Sequence, residues 1–155
     1  MRRKLRAAMI PSLLFLHILA AVIWVGGMFF AHQMVRPSVS PLDAPVRLAL
    51  WRGIFERFFA WVWVAVVLLL VSGIGMEISG VQGLHVTIME ALGVIMVLAF
   101  GHLFFAPWKR FRRAVDTGDF PAAAVQLNQI RRIVEFNLAL GLIVVVVGAT
   151  GRYWG

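Results

Sequence analysis

The four histidines are the residues whose type and placement first point to chemistry. They fall in two long apolar segments, two in each segment: His17, His32, His85 and His102. An imidazole inside a membrane-spanning helix is costly, so a functional role is its default interpretation. Haem iron takes one imidazole above and one below its plane, and facing helices of a bundle can supply both. The distribution therefore favours a bis-histidine haem b site.

Helix geometry sorts these histidines into two pairs. His17 and His32 are separated by about 22 Å and about 60° on a regular α-helix, so they can share a face. His85 and His102 are separated by about 25 Å and about 100°, which is a poorer alignment. We predict that His17 and His85 hold one haem, and the same hypothesis extends to a second haem at His32 and His102.

Residues near the first pair complete the predicted cofactor site. Helical spacing places Met89 and Met96 on the same face as His85. Small side chains leave room for a flat macrocycle and Met or Trp can pack its faces, although small residues also serve close helix packing without any cofactor. Arginines at the start of the second segment could hold haem propionates or a quinone headgroup, but ordinary anchoring at the interface explains them equally well. The predicted cofactor-binding residues besides the histidines are Trp24, Gly27, Met28, Met89, Arg52 and Arg57.

The absence of cysteine restricts the other possible metal chemistry. The chain has seven methionines and no cysteine, so any soft-metal site must use thioether and imidazole ligands, a combination that suits Cu(I). Copper handling is therefore the alternative to haem. Glu90, just beyond His85, is a candidate proton carrier or imidazole partner, and a structural subunit without cofactor is the third possibility.

The composition places these residues in a lipid bilayer. Apolar residues make up 61% of the 155 residues and charged residues only 14%, and the mean hydropathy is +0.88. Four stretches are long enough to cross a membrane, at about 8–34, 54–77, 85–107 and 130–151. We predict an all-α fold: one integral membrane four-helix bundle over 1–155 with a basic connection at 108–130. The first stretch is longer than the apolar part of a signal peptide, so it is interpreted as a span.

The positive charges predict the orientation in the membrane. An even number of spans puts both termini on one face, with five Lys and Arg against ten on the other. The positive-inside rule then puts both termini outside the cytoplasm in a multi-pass protein of a bacterial-type inner (plasma) membrane. The net charge of +8 therefore reports topology and headgroup contact rather than nucleic-acid binding. In the last connection, Thr117-Gly118-Asp119 predicts a turn, with Asp119 as the N-cap of the following helix.

Short motifs resemble a known family. Leu16-His17-Ile18 and Trp24-Val25-Gly26-Gly27 in the first span, Leu84-His85-Val86 at the start of the third and Gly101-His102 near its end are similar to the CopD-like (copper resistance protein D) superfamily. This group in turn resembles the haem-binding four-helix protoporphyrinogen oxidases. The resemblance implies a four-helix bundle, a b-type haem with a first-span histidine as ligand, and a family name derived from copper resistance.

The hypothesis that follows is a cytochrome-like membrane oxidoreductase. It would transfer electrons through haem, with quinol or a redox partner protein, and a homo-oligomer is left open. The alternatives are a copper-handling protein and an enzyme like the protoporphyrinogen oxidases. Those oxidases have a lysine where this chain has Thr87, so the resemblance is used for fold and haem rather than for substrate.

Overall fold

A computed structural model of the protein shows a chain folded into a series of long helices. The structure describes the backbone of residues 2–154 and the side chains of residues 9–151, 153 and 154. Every regular element in this part of the chain is helical. The α-helices are α1 (Arg2–Ala21), α2 (Gly27–Phe30), α3 (Arg36–Val39), α4 (Ala44–Ile78), α5 (Leu84–Phe105), α6 (Pro107–Asp116) and α7 (Phe120–Thr150), and a short 3₁₀ turn, Gly151–Tyr153, follows.

Four of these helical stretches are long and apolar enough to cross a membrane. In chain order the first to fourth spans are Met9–Val39, Ala44–Ile78, Leu84–Asp116 and Phe120–Thr150. Large apolar side chains such as Phe15 and Val71 are more than 60% exposed on their outer faces, as expected of surfaces that contact lipid. The predicted all-α four-helix membrane fold is confirmed.

Two π-helical turns interrupt the first span, at Val22–Gly26 and Ala31–Val35. Each such turn adds residues per revolution and so changes the rotation between the residues on either side of it. His17 lies before the first π-helical turn and His32 lies within the second. The regular 100° per residue behind their predicted common face therefore does not apply.

A proline and a capped turn shape the connection between the last two spans. Ala106 leaves the helical conformation immediately before Pro107, so α5 ends there and α6 begins at Pro107. Gly118 has a φ of +73°, which closes the turn after α6. The Asp119 side chain accepts a hydrogen bond from the Ala122 N–H at 3.0 Å, which confirms the predicted N-cap of α7.

The helices pack as two close pairs that large aromatic side chains join. The first span lies along α4 and the third along α7, while α6 also packs on α7. Phe59 of α4 stacks on Phe55 at 5.1 Å and meets Phe100 of α5 and Trp108 of α6 edge-on at 5.8 and 5.3 Å. Such ring pairs contribute beyond the area that they bury, and in this bundle they fix the two helix pairs together.

The two N-cap aspartates give a matched prediction. Asp119→Ala removes a hydrogen bond to a helix N-terminus, so the free energy of unfolding should fall by about 1 kcal/mol. Asp43 occupies the N-cap of α4 without a side-chain hydrogen bond there, so Asp43→Ala should change it little. Denaturant unfolding in detergent micelles checks both; equal losses from the two variants would contradict the prediction.

Candidate functional site

His17 is held by the second span. Its Nδ1 lies 2.9 Å from the Ser72 hydroxyl, which itself donates to the carbonyl of Leu68 one turn earlier. A hydroxyl that donates its only hydrogen to a carbonyl must accept from the imidazole, so Nδ1 of His17 carries the proton. Nε2 is then the lone-pair nitrogen. Ser72 is only 1% exposed, so this contact fixes the ring deep between the helices.

His85, Met89 and Met96 lie along the face of α5 that packs on α7. Each stands opposite a glycine of the antiparallel α7 or of the 3₁₀ turn that follows it, and a Cβ at that glycine would meet it. The three matched pairs are His85 with Gly151, Met89 with Gly148 and Met96 with Gly141. Glycines let two helix backbones approach closely, so one imidazole and two thioethers line the α5–α7 interface. We call these three side chains the soft-ligand row.

Asn137 adds a polar group beside the inner end of the soft-ligand row. Its amide nitrogen donates to the backbone carbonyl of Met96 at 3.1 Å, and its side chain is 2% exposed. The amide oxygen Oδ1 has no hydrogen-bond partner among the described residues. A buried acceptor without a partner is uncommon in native structures and calls for an explanation.

The contacts of His17 and His85 lead to different helices. His17 contacts α4 through Ser72, whereas His85 packs on the end of α7 at Gly151. Between the helix pairs, Trp24 is 3% exposed and meets Phe100 edge-on at 6.0 Å. Trp24 therefore serves as core packing in this arrangement, and the described contacts do not join the two imidazoles.

Met28 and Gly27 also lie in the packed interior. Met28 is 2% exposed, and a Cβ at Gly27 would collide with the Phe58 ring of α4. Gly27 therefore allows close approach of the first span to α4, and Met28 fills the packed interior, which are roles that small and adaptable residues serve without a cofactor.

The two histidines of the second predicted pair, His32 and His102, lie in different environments. His32 Nδ1 lies 3.6 Å from the Glu135 carboxylate, which also forms an ion pair with Arg36 at 2.7 Å. His102 is exposed on α5, and its backbone carbonyl accepts from Ala106. The described contacts do not bring His32 and His102 together.

The predicted arginines have partners within the protein. Arg52 reaches Asp116 of α6 through Nε at 2.8 Å and through a second nitrogen at 3.3 Å, and it also pairs with Glu56 at 3.0 Å. This bidentate contact fixes the end of α6 to the second span. Arg57 is exposed and donates to the carbonyl of Gly53.

A cavity of about 320 Å³ opens at the end of the bundle where α4 turns into α5. Its lining includes the carboxylates of Glu77 and Glu90 together with Gln82 and Thr87. His85 begins the same end of α5, on a different face from Glu90. These carboxylates therefore lie on the side of the bundle where both chain termini lie, close to the start of the soft-ligand row.

The described side chains contain no group of three or more His, Asp or Glu placed to hold a metal ion. Sequence spacing already placed Met89 and Met96 on the His85 face. It missed Ser72, Asn137 and the glycines of α7, although small residues at 141, 148 and 151 are a readable signal for close packing.

Comparison with known protein families gives a match over most of the chain. The family model described as copper resistance protein D matches residues 52–150, from the second span through the fourth. Neither the curated proteins nor the solved structures give a match. The matched segment, nearly two thirds of the chain, contains the whole soft-ligand row but not the first span with His17. By this match the chain belongs to the copper resistance protein D family.

Proposed function

We propose that this membrane protein handles copper, and that His85 and Met89 bind Cu(I) at the α5–α7 interface. The observation that carries the proposal is the soft-ligand row, which places an imidazole and a thioether one helical turn apart on the face of α5 that packs on α7. Residues four apart on a helix have Cβ atoms about 5–6 Å from each other, so their ends can converge on one ion.

The ligand chemistry favours copper in its reduced state. Thioether sulfur is a soft ligand that selects Cu(I), and imidazole suits copper as well. Since the chain has no cysteine, the thioethers are its only soft sulfur ligands. The family match supports the same cargo, because it covers the segment that contains these residues.

The surroundings of the row suggest a path for the ion. Glu77 and Glu90 line the cavity at the terminal face, where carboxylates raise the local concentration of cations. Met96 and the unpartnered Asn137 oxygen lie deeper along the same interface. We propose that copper enters from the face of the two termini, and that this face lies outside a bacterial-type inner membrane, a proposal that the positive-inside rule supports.

Metal and haem contents of the purified protein test this proposal. The protein is purified in detergent from cells supplied with both copper and a haem precursor, and copper and haem are each quantified per protein. We expect about one bound copper ion per chain and no Soret band. Absence of copper together with stoichiometric haem would overturn the proposal.

A second candidate function rests on the contact between His17 and Ser72. Histidines that bind a metal usually donate their other ring N–H to a nearby acceptor, and the His17–Ser72 contact has this form. The Nε2 of His17 would then be free to hold the iron of a haem b, and His85 is the second histidine proposed to hold it. A bound haem would supply one-electron transfer, with quinol or a redox protein as the proposed partner.

The same purification separates the two candidates. Under the haem hypothesis, the wild type shows a Soret band that is lost in His17→Ala and also weakened in Ser72→Ala. Under the copper hypothesis, neither change affects the copper content, because both residues lie outside the soft-ligand row. Phe15→Ala is a control for both, since its side chain is 64% exposed.

A further inference from the structure

A second candidate site lies at the opposite end of the bundle, between three helical spans. A small cavity of about 20 Å³ is lined by His32 and Arg36 of the first span, Trp51 and Phe55 of α4, and Arg131 of α7. None of these residues belongs to the soft-ligand row, so this site is independent of the proposed copper function.

Two hydrogen-bond donors at this cavity have no partner. The indole Nε1 of Trp51 and the Nε of Arg131 are both inaccessible to solvent and make no hydrogen bond to a described residue. Trp51 is 2% exposed, and the Arg131 guanidinium lies 5.7 Å from the centre of its ring. Two orphaned donors on residues that line the same cavity indicate a missing acceptor.

The charges around the cavity show what kind of acceptor is missing. Arg131 lies within electrostatic range of Arg36 and Arg47, and the carboxylate in the same range is Glu135. The Glu135 oxygen Oε1 contacts Arg36 at 2.7 Å and His32 at 3.6 Å. Three arginines around one carboxylate leave positive charge uncompensated, which a water molecule could not balance and an anion could.

The size and position of the cavity further restrict which anions could bind there. A volume of about 20 Å³ holds roughly one water-sized group, so a single oxygen of a larger anion fits inside. The cavity lies near the end of the first span and the start of the second, on the face with more basic residues. Basic pockets between spans at this level suit phosphate-bearing headgroups.

We propose that this cavity binds the phosphate group of an anionic molecule. One phosphate oxygen accepts from Trp51 Nε1 and Arg131 Nε, while the others face Arg36 and the open side of the cavity. The same chemistry is available from an anionic phospholipid headgroup and from free phosphate, and the two sources can be separated by experiment.

The test uses the full-length protein labelled with ¹⁵N at tryptophan, in neutral detergent without added lipid. Short-chain phosphatidylglycerol, short-chain phosphatidylcholine and inorganic phosphate are titrated separately. The indole N–H resonance of Trp51 is assigned by its absence in Trp51→Phe, which keeps a ring for Arg131 to contact. We expect phosphatidylglycerol to shift this resonance more strongly than phosphatidylcholine does.

Variants connect the binding to the cavity. Arg131→Gln should weaken phosphatidylglycerol binding about tenfold, because it removes a charged donor, whereas the neighbouring and exposed Arg132→Gln should leave it unchanged. Trp51→Phe should cause a loss of similar size, measured by lipid-dependent thermal stabilisation. A response to inorganic phosphate as well identifies free phosphate as a ligand, and its absence assigns the site to lipid.

The following results would overturn the proposal. In one, the Trp51 resonance does not move with phosphatidylglycerol or with inorganic phosphate. In the other, Arg132→Gln weakens binding as much as Arg131→Gln does, which would mean that the basic face attracts anions without a built site. Equal shifts with phosphatidylcholine and phosphatidylglycerol would contradict the need for a net anionic molecule.

Discussion

The double variant His85→Ala, Met89→Leu is expected to raise the dissociation constant for Cu(I) by at least about a hundredfold. Loss of a single outer contact to a metal ligand already costs about tenfold to a hundredfold in affinity, and this variant removes both proposed ligands. A hundredfold change corresponds to about 2.8 kcal/mol of binding free energy. Leucine keeps the volume and apolar character of Met89, so the α5–α7 packing at Gly148 should be preserved.

An anaerobic competition titration against a chromophoric Cu(I) chelator measures this effect. The matched control is His102→Ala, Met34→Leu, which also removes one imidazole and one thioether, but from exposed positions outside the row. The control should bind Cu(I) like the wild type. If both double variants lose affinity equally, copper binds to His and Met side chains in general and not specifically at the α5–α7 interface.

Replacing Gly141 with leucine should lower the free energy of unfolding by about 1–3 kcal/mol. A Cβ there would lie 2.8 Å from a methyl of Val25 in the first span and 3.2 Å from the methyl of Met96 in α5. Three helices meet at this position, so the added side chain has no free space and must displace its neighbours. The matched control is Gly93→Leu on α5, where a Cβ would meet nothing within 4 Å.

Thermal or denaturant unfolding of both glycine variants in the same detergent gives the comparison. Gly93→Leu should be neutral or slightly stabilising, because leucine has a higher helix propensity than glycine. A stable Gly141→Leu protein would mean that α7 does not approach α5 and the first span as closely as described.

Local patterns in the sequence were sufficient for the helices and for one face of the site. Uninterrupted apolar length predicted the four spans, and Gly118-Asp119 predicted the turn and the N-cap of α7, because these depend on residues close in sequence. Helical spacing placed Met89 and Met96 with His85. The π-helical turns of the first span carry no such local signal. The common face predicted for His17 and His32 on a regular helix therefore does not hold.

Contacts between helices could not be read from spacing alone. The bond from His17 to Ser72 joins residues 55 positions apart, and it depends on how the first span slides and rotates against α4. The Trp51–Arg131 cavity needs three spans at once. Arg36 and Arg131 appear in the sequence as ordinary interfacial charge, and only their shared cavity distinguishes them from Arg57.

X-ray absorption of the Cu(I)-loaded protein at the copper edge tests the central claim most directly, because it reports the atoms bound to the ion. We expect a first shell with both nitrogen and sulfur, in which the sulfur disappears in Met89→Leu and the imidazole scattering disappears in His85→Ala. A wild-type shell of nitrogen and oxygen alone, or one unchanged by both substitutions, would contradict copper binding at the soft-ligand row.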